Sequence, residues 1–283
     1  MDEFRVTKAI TIKDTNTKLV IDDAKKHLKT LRKQLGDLQN TMYAHDKYAV
    51  LVCIQGMDTA GKDSLIREVF KDFNVRGVSV HSFKVPTELE LGHDYLWRHY
   101  LVLPERGKFG IFNRTHYENV LVTRVHPEYI LGEKIPSVNR LEDINDGFWD
   151  KRFEQINNFE KHIAENGTII FKFFLHLSEE EQKNRLLRRL NKPNKNWKFS
   201  PGDLKERKLW DDYQACYQDA INRTSKPHAP WFIIPADDKS TARYLVAKVL
   251  YETLIGYTDI KEPELDQDIK ENLALYKKQL EQN

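Results

Sequence analysis

Tyr48 to Ile54 is an uninterrupted apolar run; it gives way to GMDTAGKDS, and the chain resumes as LIREVFKDF. The run is apolar and rich in β-branched residues, as a strand buried on both faces of a parallel sheet must be. Gly56 to Ser64 fits G-x-x-x-x-G-K between a strand and a helix, the place of a loop that cradles phosphate. There Gly56 and Gly61 let the backbone curl, and Met57, Thr59, Ala60, Asp63 and Ser64 add inward N–H groups at the positive end of the following helix. Lys62 then reaches the phosphates as a mobile point charge. A glycine turn with a chance lysine is the blander alternative, and it leaves the flanking strand and helix unexplained.

Two carboxylates set this loop apart. Asp63 stands where a Ser or Thr hydroxyl usually ligates magnesium, and Ser64 comes one place late. Asp58, inside the loop, would repel bound phosphates unless a divalent cation lay between them. Magnesium, with manganese as a substitute, takes a few carboxylates plus phosphate oxygens, so Asp58 is the first candidate ligand. The alternative is an Asp that caps the loop's own N–H groups.

VSVHSF (78–83), FGIFN (109–113), TIIFKFFLHL (168–177) and WFIIP (231–235) supply four more short strands separated by helical stretches. That alternation predicts an α/β fold, one central parallel sheet flanked by helices on both faces. Ala24, Leu28, Leu31, Leu35, Leu38 and Met42 form the stripe of an amphipathic helix, laid on the core in preference to pairing as a coiled coil. Further helices are expected over 145–165 and 241–254. The expected organisation is an N-terminal helical segment (1–47), a catalytic domain (48–258) and a C-terminal helical tail (259–283) that docks or is exchanged.

IFNRTHYENV puts polar groups at the carboxyl end of a strand, the edge where open α/β sheets bind ligands. Asn113, Arg114, His116, Tyr117 and Glu118 can therefore face the same phosphates as Lys62. Asn113 is neutral where a second metal-holding acid is usual, and the carboxylate comes five residues later as Glu118. Arg114 reads either as a clamp on the transferring phosphoryl group or as an ordinary ion pair. His116 reads as structural, because a phosphate acceptor already presents an ionised oxygen. The histidines show no zinc-ligand spacing.

Average composition argues against a polyanion partner, since 45 Lys plus Arg face 43 Asp plus Glu, a net +2. The average hides KNRLLRRLNKPNKNWKFSPGDLKERK (183–208), where ten basic residues meet two acids, Asp203 and Glu206. Pro193, Asn194, Trp197, Pro201 and Gly202 break this segment into two helices around a turn. It follows a strand, where phosphate-loop kinases carry a lid that closes positive groups over the phosphates; a solvated helix face is the alternative. As a lid over about 183–210, Arg185, Arg188, Arg189, Lys192, Lys195, Lys198 and Arg207 confront a phosphate chain. No apolar run approaches the ~18 residues of a membrane span, MDEFRVTKAITIKD lacks a signal's apolar core, and Cys53 and Cys216 offer no disulfide framework, which together suggest a cytoplasmic protein.

In order along 48–255, the chain carries GMDTAGKD, SFKVPTELELGHDYLWRHY with LPERG, IFNRTHYENVLVTRVH, FLHLSEEEQKNRLLRRL, KNWKFSPGDLKERKLWDDYQACY and APWFIIPAD. This series resembles the polyphosphate kinase 2 family, and within it class III. The resemblance implies a phosphate-loop kinase core of the thymidylate-kinase type with a helical lid, moving a terminal phosphoryl group between inorganic polyphosphate and nucleotides with magnesium. For class III it implies acceptance of both nucleoside mono- and diphosphates, so that AMP is raised through ADP to ATP. Asp58 and Lys62 match the loop's catalytic acid and base, and Arg114 and Tyr117 match the strand-end motif. Asn113 replaces the Asp of other classes, and Glu118 is an acid where they have Asn.

The resulting expectation is reversible in-line phosphoryl transfer. Asp58 with Asn113 or Glu118 holds magnesium, Lys62 and Arg114 stabilise the transferring group, and Lys84, Arg98, Arg106 and Arg124 join the lid along the polyphosphate path. The expected partners are polyphosphate and nucleoside mono- and diphosphates in a homo-oligomer, with neither nucleic acid nor membrane. The rivals are an ATP-dependent kinase of a small metabolite or nucleoside monophosphate, and a nucleic-acid-binding module built on the basic segment.

Overall fold

The structure, a computed structural model, describes residues 2–282, and of Lys198 the backbone alone. Its regular elements in chain order are α1 (Ala24–His45), β1 (Ala49–Gln55), α2 (Lys62–Val69), β2 (Val78–Ser82), α3 (Glu88–Leu91), α4 (Trp97–Tyr100), β3 (Phe109–Asn113), α5 (Val122–Val125), α6 (Asp146–Glu165), β4 (Thr168–His176), α7 (Glu179–Leu190), α8 (Pro201–Arg207), α9 (Trp210–Thr224), β5 (Trp231–Pro235), α10 (Lys239–Leu254) and α11 (Gln267–Glu281). Short 3-10 turns occupy several connections, among them His116–Val120 after β3 and Pro193–Lys198 between α7 and α8.

The strands form one five-stranded sheet in the order β2-β3-β1-β4-β5, every pair parallel. Alternate residues of β1 go to opposite faces, as the apolar run requires: Val50, Val52 and Ile54 join α1, α2 and α10 in one core, while Leu51 and Cys53 join Phe159 and Ile163 of α6 on the other. In α1, Leu28, Leu31, Leu35 and Met42 are buried in that first core with Leu245, Val246 and Leu250 of α10, so the stripe is a core-facing face. The C-terminal segment does form a helix, α11, but it buries none of its residues; Leu273, Tyr276 and Leu280 are exposed, so of the two expected arrangements, docking and exchange, the helix is not docked on its own chain.

Because all strands run the same way, their carboxyl ends share one edge. Register puts Ile54 beside Asn113, and Asn113 beside Ser82, so the loop after β1 and the turn after β3 emerge as neighbours. Lys172, in the middle of β4, breaks the apolar pattern of that strand and is fully buried. Its ammonium lies 2.6 Å from Glu160 of α6, also fully buried. Burial alone would raise the Glu160 carboxyl, but Lys172 and the His116 ring hold it below the usual carboxylate range.

Candidate active site

The loop after β1 curls through three residues with positive φ, Gly56, Thr59 and Gly61, before α2 begins at Lys62. At Gly56 a Cβ would come within 2.9 Å of the Leu175 carbonyl oxygen, so only glycine lets the loop leave the sheet here. Thr59 and Arg114 hold φ of 67° and 59°; each non-glycine residue in that region costs on the order of 1–3 kcal/mol and persists only where its surroundings over-determine it. Lys62 Nζ donates to Gly56 O at 2.5 Å and Met57 O at 3.3 Å, resting on the inner rim of its own loop. The side chains of Met57 and Ala60 are buried in the core, so these two serve the cradle through their backbone alone.

Across from this loop, the Arg114 guanidinium donates to Asp58 Oδ1 at 2.8 Å and to Glu118 Oε2 at 3.2 Å. The two readings of Arg114 therefore coincide: it is ion-paired, and it is held between two carboxylates at the mouth of the loop. Glu118 first, against the cost of burial, and then Asp58 push its pKa further up. Asn113 donates to Asp63 Oδ1 at 2.7 Å and Ser82 Oγ at 3.2 Å, tying the loop to β2 and leaving its own buried Oδ1 unpartnered. His116 and Tyr117 point inward to Glu160 and are fully buried, so His116 is structural and Tyr117 does not face phosphate.

Two cavities meet at Arg114. The first, about 450 Å³, is basic and lined by the loop, Asn113, Arg67, Arg185, Arg188, Arg189, Lys195, Lys239 and Arg243. The second, about 850 Å³, is largely apolar and lined by Phe83, Val85, Pro86, Leu91, Tyr95, Val122 and Tyr129, with Glu118 at its inner end. Thr123 Oγ1 and His99 Nδ1 also border this second cavity, each buried and without a partner.

Several residues expected along a polyphosphate path lie elsewhere. Lys84 and Arg98 line the apolar cavity, Arg98 donating to Lys84 O at 2.9 Å and lying over the Phe83 ring. Arg106 donates to Lys47 O, beside the start of β1 and so at the opposite edge of the sheet. Arg124 is bound to Asp219 at 2.5 Å and stacks over Trp149 and Phe153, joining α5 to α6 and α9. Arg207 is consumed by Glu179 and Gln182 at the base of α7, and the exposed Lys192 is not part of the basic cavity's wall. The side chain of Lys198 lies outside the described residues.

Arg185 is not a lid residue. It is buried, donates to the Thr59, Ala60, Ala236 and Asp237 carbonyls at 2.6–3.0 Å, and binds Glu181 at 2.7 Å. With Gln182, which donates to Asp58 O at 3.1 Å, it makes the start of α7 a buttress of the phosphate loop. The outer half of the basic segment is two helices around a turn, as its prolines and glycine predict, and it presents Arg188, Arg189 and Lys195 to the cavity. Lys239 and Arg243, which the charge run does not include, complete the wall from α10; Arg243 also donates to Ser64 Oγ at 3.1 Å. Their signal was an i, i+4 basic pair on a helix that starts at the carboxyl edge of the sheet.

Among the described residues, no three His, Cys, Asp or Glu side chains gather into a metal cluster. Asp58, Glu118 and the unpartnered Asn113 Oδ1 nonetheless fit a hard divalent cation that draws the rest of its shell from phosphate and water. The cavity's cations repel one another. Burial first, then Arg114, brings Lys62 down to about 8, and burial, then Arg185 and Arg188, brings Lys239 down to about 8. Both ammoniums thus lose their charge in the free protein as pH rises through that value, whereas bound phosphate restores it. For a phosphate-bearing donor, kcat/KM is expected to fall above about pH 8 while kcat stays flatter. A pH profile with kcat/KM level to well beyond that pH contradicts this.

A parallel sheet with a phosphate loop at its carboxyl edge, faced by a guanidinium and a basic cavity, defines a phosphate-loop protein, the class that holds kinases and nucleoside triphosphatases. Comparison with known proteins carries this further. The polyphosphate kinase 2 (PPK2) profile matches residues 18–263. The chain is 48% identical over 227 residues to the ADP-polyphosphate phosphotransferase of Rhodopseudomonas palustris, a match covering 80% of this chain and 78% of that one. It is 46% identical over 229 residues to the AMP/ADP-polyphosphate phosphotransferase of Meiothermus ruber, covering 81% and 80%. Its fold matches the crystal structure of polyphosphate kinase 2 from Arthrobacter aurescens TC1 with a TM-score of 0.88 at 34% identity, covering 98% of this chain and 96% of that one. The chain belongs to the polyphosphate kinase 2 family and is a phosphotransferase.

Proposed function

We propose that the protein transfers the terminal phosphoryl group of inorganic polyphosphate to AMP and to ADP, reversibly and with magnesium, as a class III member of its family. The observation that carries this reading is the meeting of two unlike cavities at Arg114. A polyphosphate chain has negative charge on every unit and suits the basic cavity, whose wall of Arg67, Arg188, Arg189, Lys195, Lys239 and Arg243 exceeds what one triphosphate requires. A nucleoside suits the apolar cavity, with its phosphate tail toward Glu118 and Arg114. The names of relatives at 48% and 46% identity both support polyphosphate with ADP, and the second supports AMP as well.

In this reading the loop from Gly56 to Ser64 fixes the terminal phosphate, Lys62 and Arg114 bear the charge that spreads over the transferring group, and the acceptor oxygen lies in line across Arg114. Asp58 with Glu118 or Asn113 would hold magnesium, which when bound would further neutralise phosphate charge. No base is required, because the acceptor phosphate is already ionised. Two free, buried cysteines accord with a cytoplasmic enzyme, and no helix among the described residues is long and apolar enough to cross a membrane.

Acceptor choice tests the class assignment. Glu118 sits on the acceptor side and shares Arg114 with Asp58, so it places negative charge, and with it a cation, where the shorter tail of AMP must be reached. Glu118→Asn is expected to lose about tenfold more activity with AMP than with ADP, measured separately with polyphosphate as donor. Equal losses would sink the assignment.

A further inference from the structure

Between Arg114 and Glu118, the two residues His116 and Tyr117 send their side chains away from the cavities and onto a single carboxylate. His116 Nε2 lies 3.1 Å and Tyr117 OH 2.7 Å from Glu160 Oε1. The other oxygen of Glu160 accepts from Lys172 Nζ at 2.6 Å, and that ammonium also donates to Tyr117 OH at 2.8 Å and to the Thr224 carbonyl at 2.7 Å. Glu160, Lys172, His116, Tyr117 and Thr224 are all buried, so α6, β4, α9 and the turn after β3 are joined in one dry polar knot.

A buried ion pair is a poor way to gain stability, since its desolvation offsets its attraction and apolar replacements of similar volume are often neutral or better. What it does supply is direction: each hydrogen bond has one geometry, and an apolar cluster has many. The turn served by this knot is the one that holds Arg114 at a φ of 59° and points Glu118 back at it. Thr115 completes the hold from the front, accepting from Gln55 Nε2 and from Tyr117 N, both at 3.1 Å.

We propose that Lys172 and Glu160 are positioning residues for phosphoryl transfer: through His116 and Tyr117 they fix the backbone of the turn, and so the place of the Arg114 guanidinium between Asp58 and Glu118. The inference rests on the phosphoryl-transfer reading of Arg114. Displacements of about 1 Å at a reacting centre are enough to cost up to 10²-fold in rate. Neither side chain lines either cavity, so neither touches substrate.

The test is a double-mutant cycle on ATP formation from ADP and polyphosphate. One arm is Glu160→Leu together with Lys172→Met, which removes both charges and leaves neither stranded; the other is Arg114→Ala. In the native background the buried pair of substitutions is expected to lower kcat about tenfold or more, with KM for polyphosphate within about threefold. In the Arg114→Ala background the same pair is expected to cost less than about twofold, because the group it positions is already gone. An equal loss in both backgrounds, or none in the native one, overturns the proposal. If the paired variant does not fold, Tyr117→Phe serves: it keeps the ring and both buried charges and removes only the hydroxyl. Its expected loss is about threefold in the native background and none beside Arg114→Ala, with the same outcomes overturning it. Should Arg114→Ala itself leave kcat intact, the phosphoryl-transfer reading of Arg114 fails and takes this inference with it; the other failures touch the positioning role alone.

Discussion

Lys62→Ala is expected to reduce kcat by about 10³-fold, close to 4 kcal/mol of lost transition-state stabilisation, with little change in thermal midpoint. The two halves of that expectation have separate causes. Lys62 is the ammonium at the inner rim of the loop, 2.5 Å from Gly56 O and 3.3 Å from Met57 O, so no other cation replaces it at the phosphate nearest the loop. Its pKa, brought down to about 8 by burial and Arg114, means that the free fold works against its charge at pH 7. A depressed lysine contributes no stability below its folded pKa, so removing it should leave the fold as stable or slightly more so. Kinetics and a thermal melt on the same preparation check both halves. A large drop in thermal midpoint would show a structural lysine.

Arg114→Ala is expected to lower kcat by at least 10²-fold, and Arg114→Lys to recover little of it. The guanidinium spans two carboxylates at 2.8 and 3.2 Å from two of its nitrogens, which a single ammonium cannot reproduce. Without it, Asp58 and Glu118 face each other uncompensated where two anionic substrates must meet. Binding of polyphosphate alone, by contrast, should weaken much less, because the other cations of the basic cavity remain. Recovery of most of the rate by lysine would mean that Arg114 supplies charge without geometry.

The phosphate loop and the individual strands were legible because both are local. FGIFN and WFIIP appear in the structure with the bounds their sequence suggests, and β1 starts one residue inside its apolar run. Arg114 and Glu118 were legible because they follow the carboxyl end of a strand, the edge where an open parallel sheet binds ligands; the strand order that sets β3 beside β1 was not read from the sequence. Charge was misleading where chain proximity differs from spatial proximity. Arg106 follows Arg98 closely, yet between them the chain returns to the amino edge to start β3, which carries Arg106 away from the site. Arg185 belongs to the same basic run as Arg188 and to the same face of α7, but it lies one turn nearer the sheet, buried on the loop's carbonyls while Arg188 is exposed, and a tally of charge carries no depth. The apolar cavity was invisible because its wall comes from one-turn helices and loops on either side of β3, too short for a period to mark which side chains converge. The near-neutral total charge likewise conceals a basic cavity assembled from α2, α7, the turn after it and α10.

The central claim is that the donor is a polyphosphate chain and the acceptor a nucleotide. The most direct measurement is ATP formation from AMP, long-chain polyphosphate and magnesium, with no ATP added and Lys62→Ala as control. ADP followed by ATP is expected with the native protein, and a rate about 10³-fold lower with Lys62→Ala. If the native protein makes neither product from polyphosphate, yet makes ADP from ATP and AMP in its absence, the claim is contradicted and the protein is an ATP-dependent nucleotide kinase.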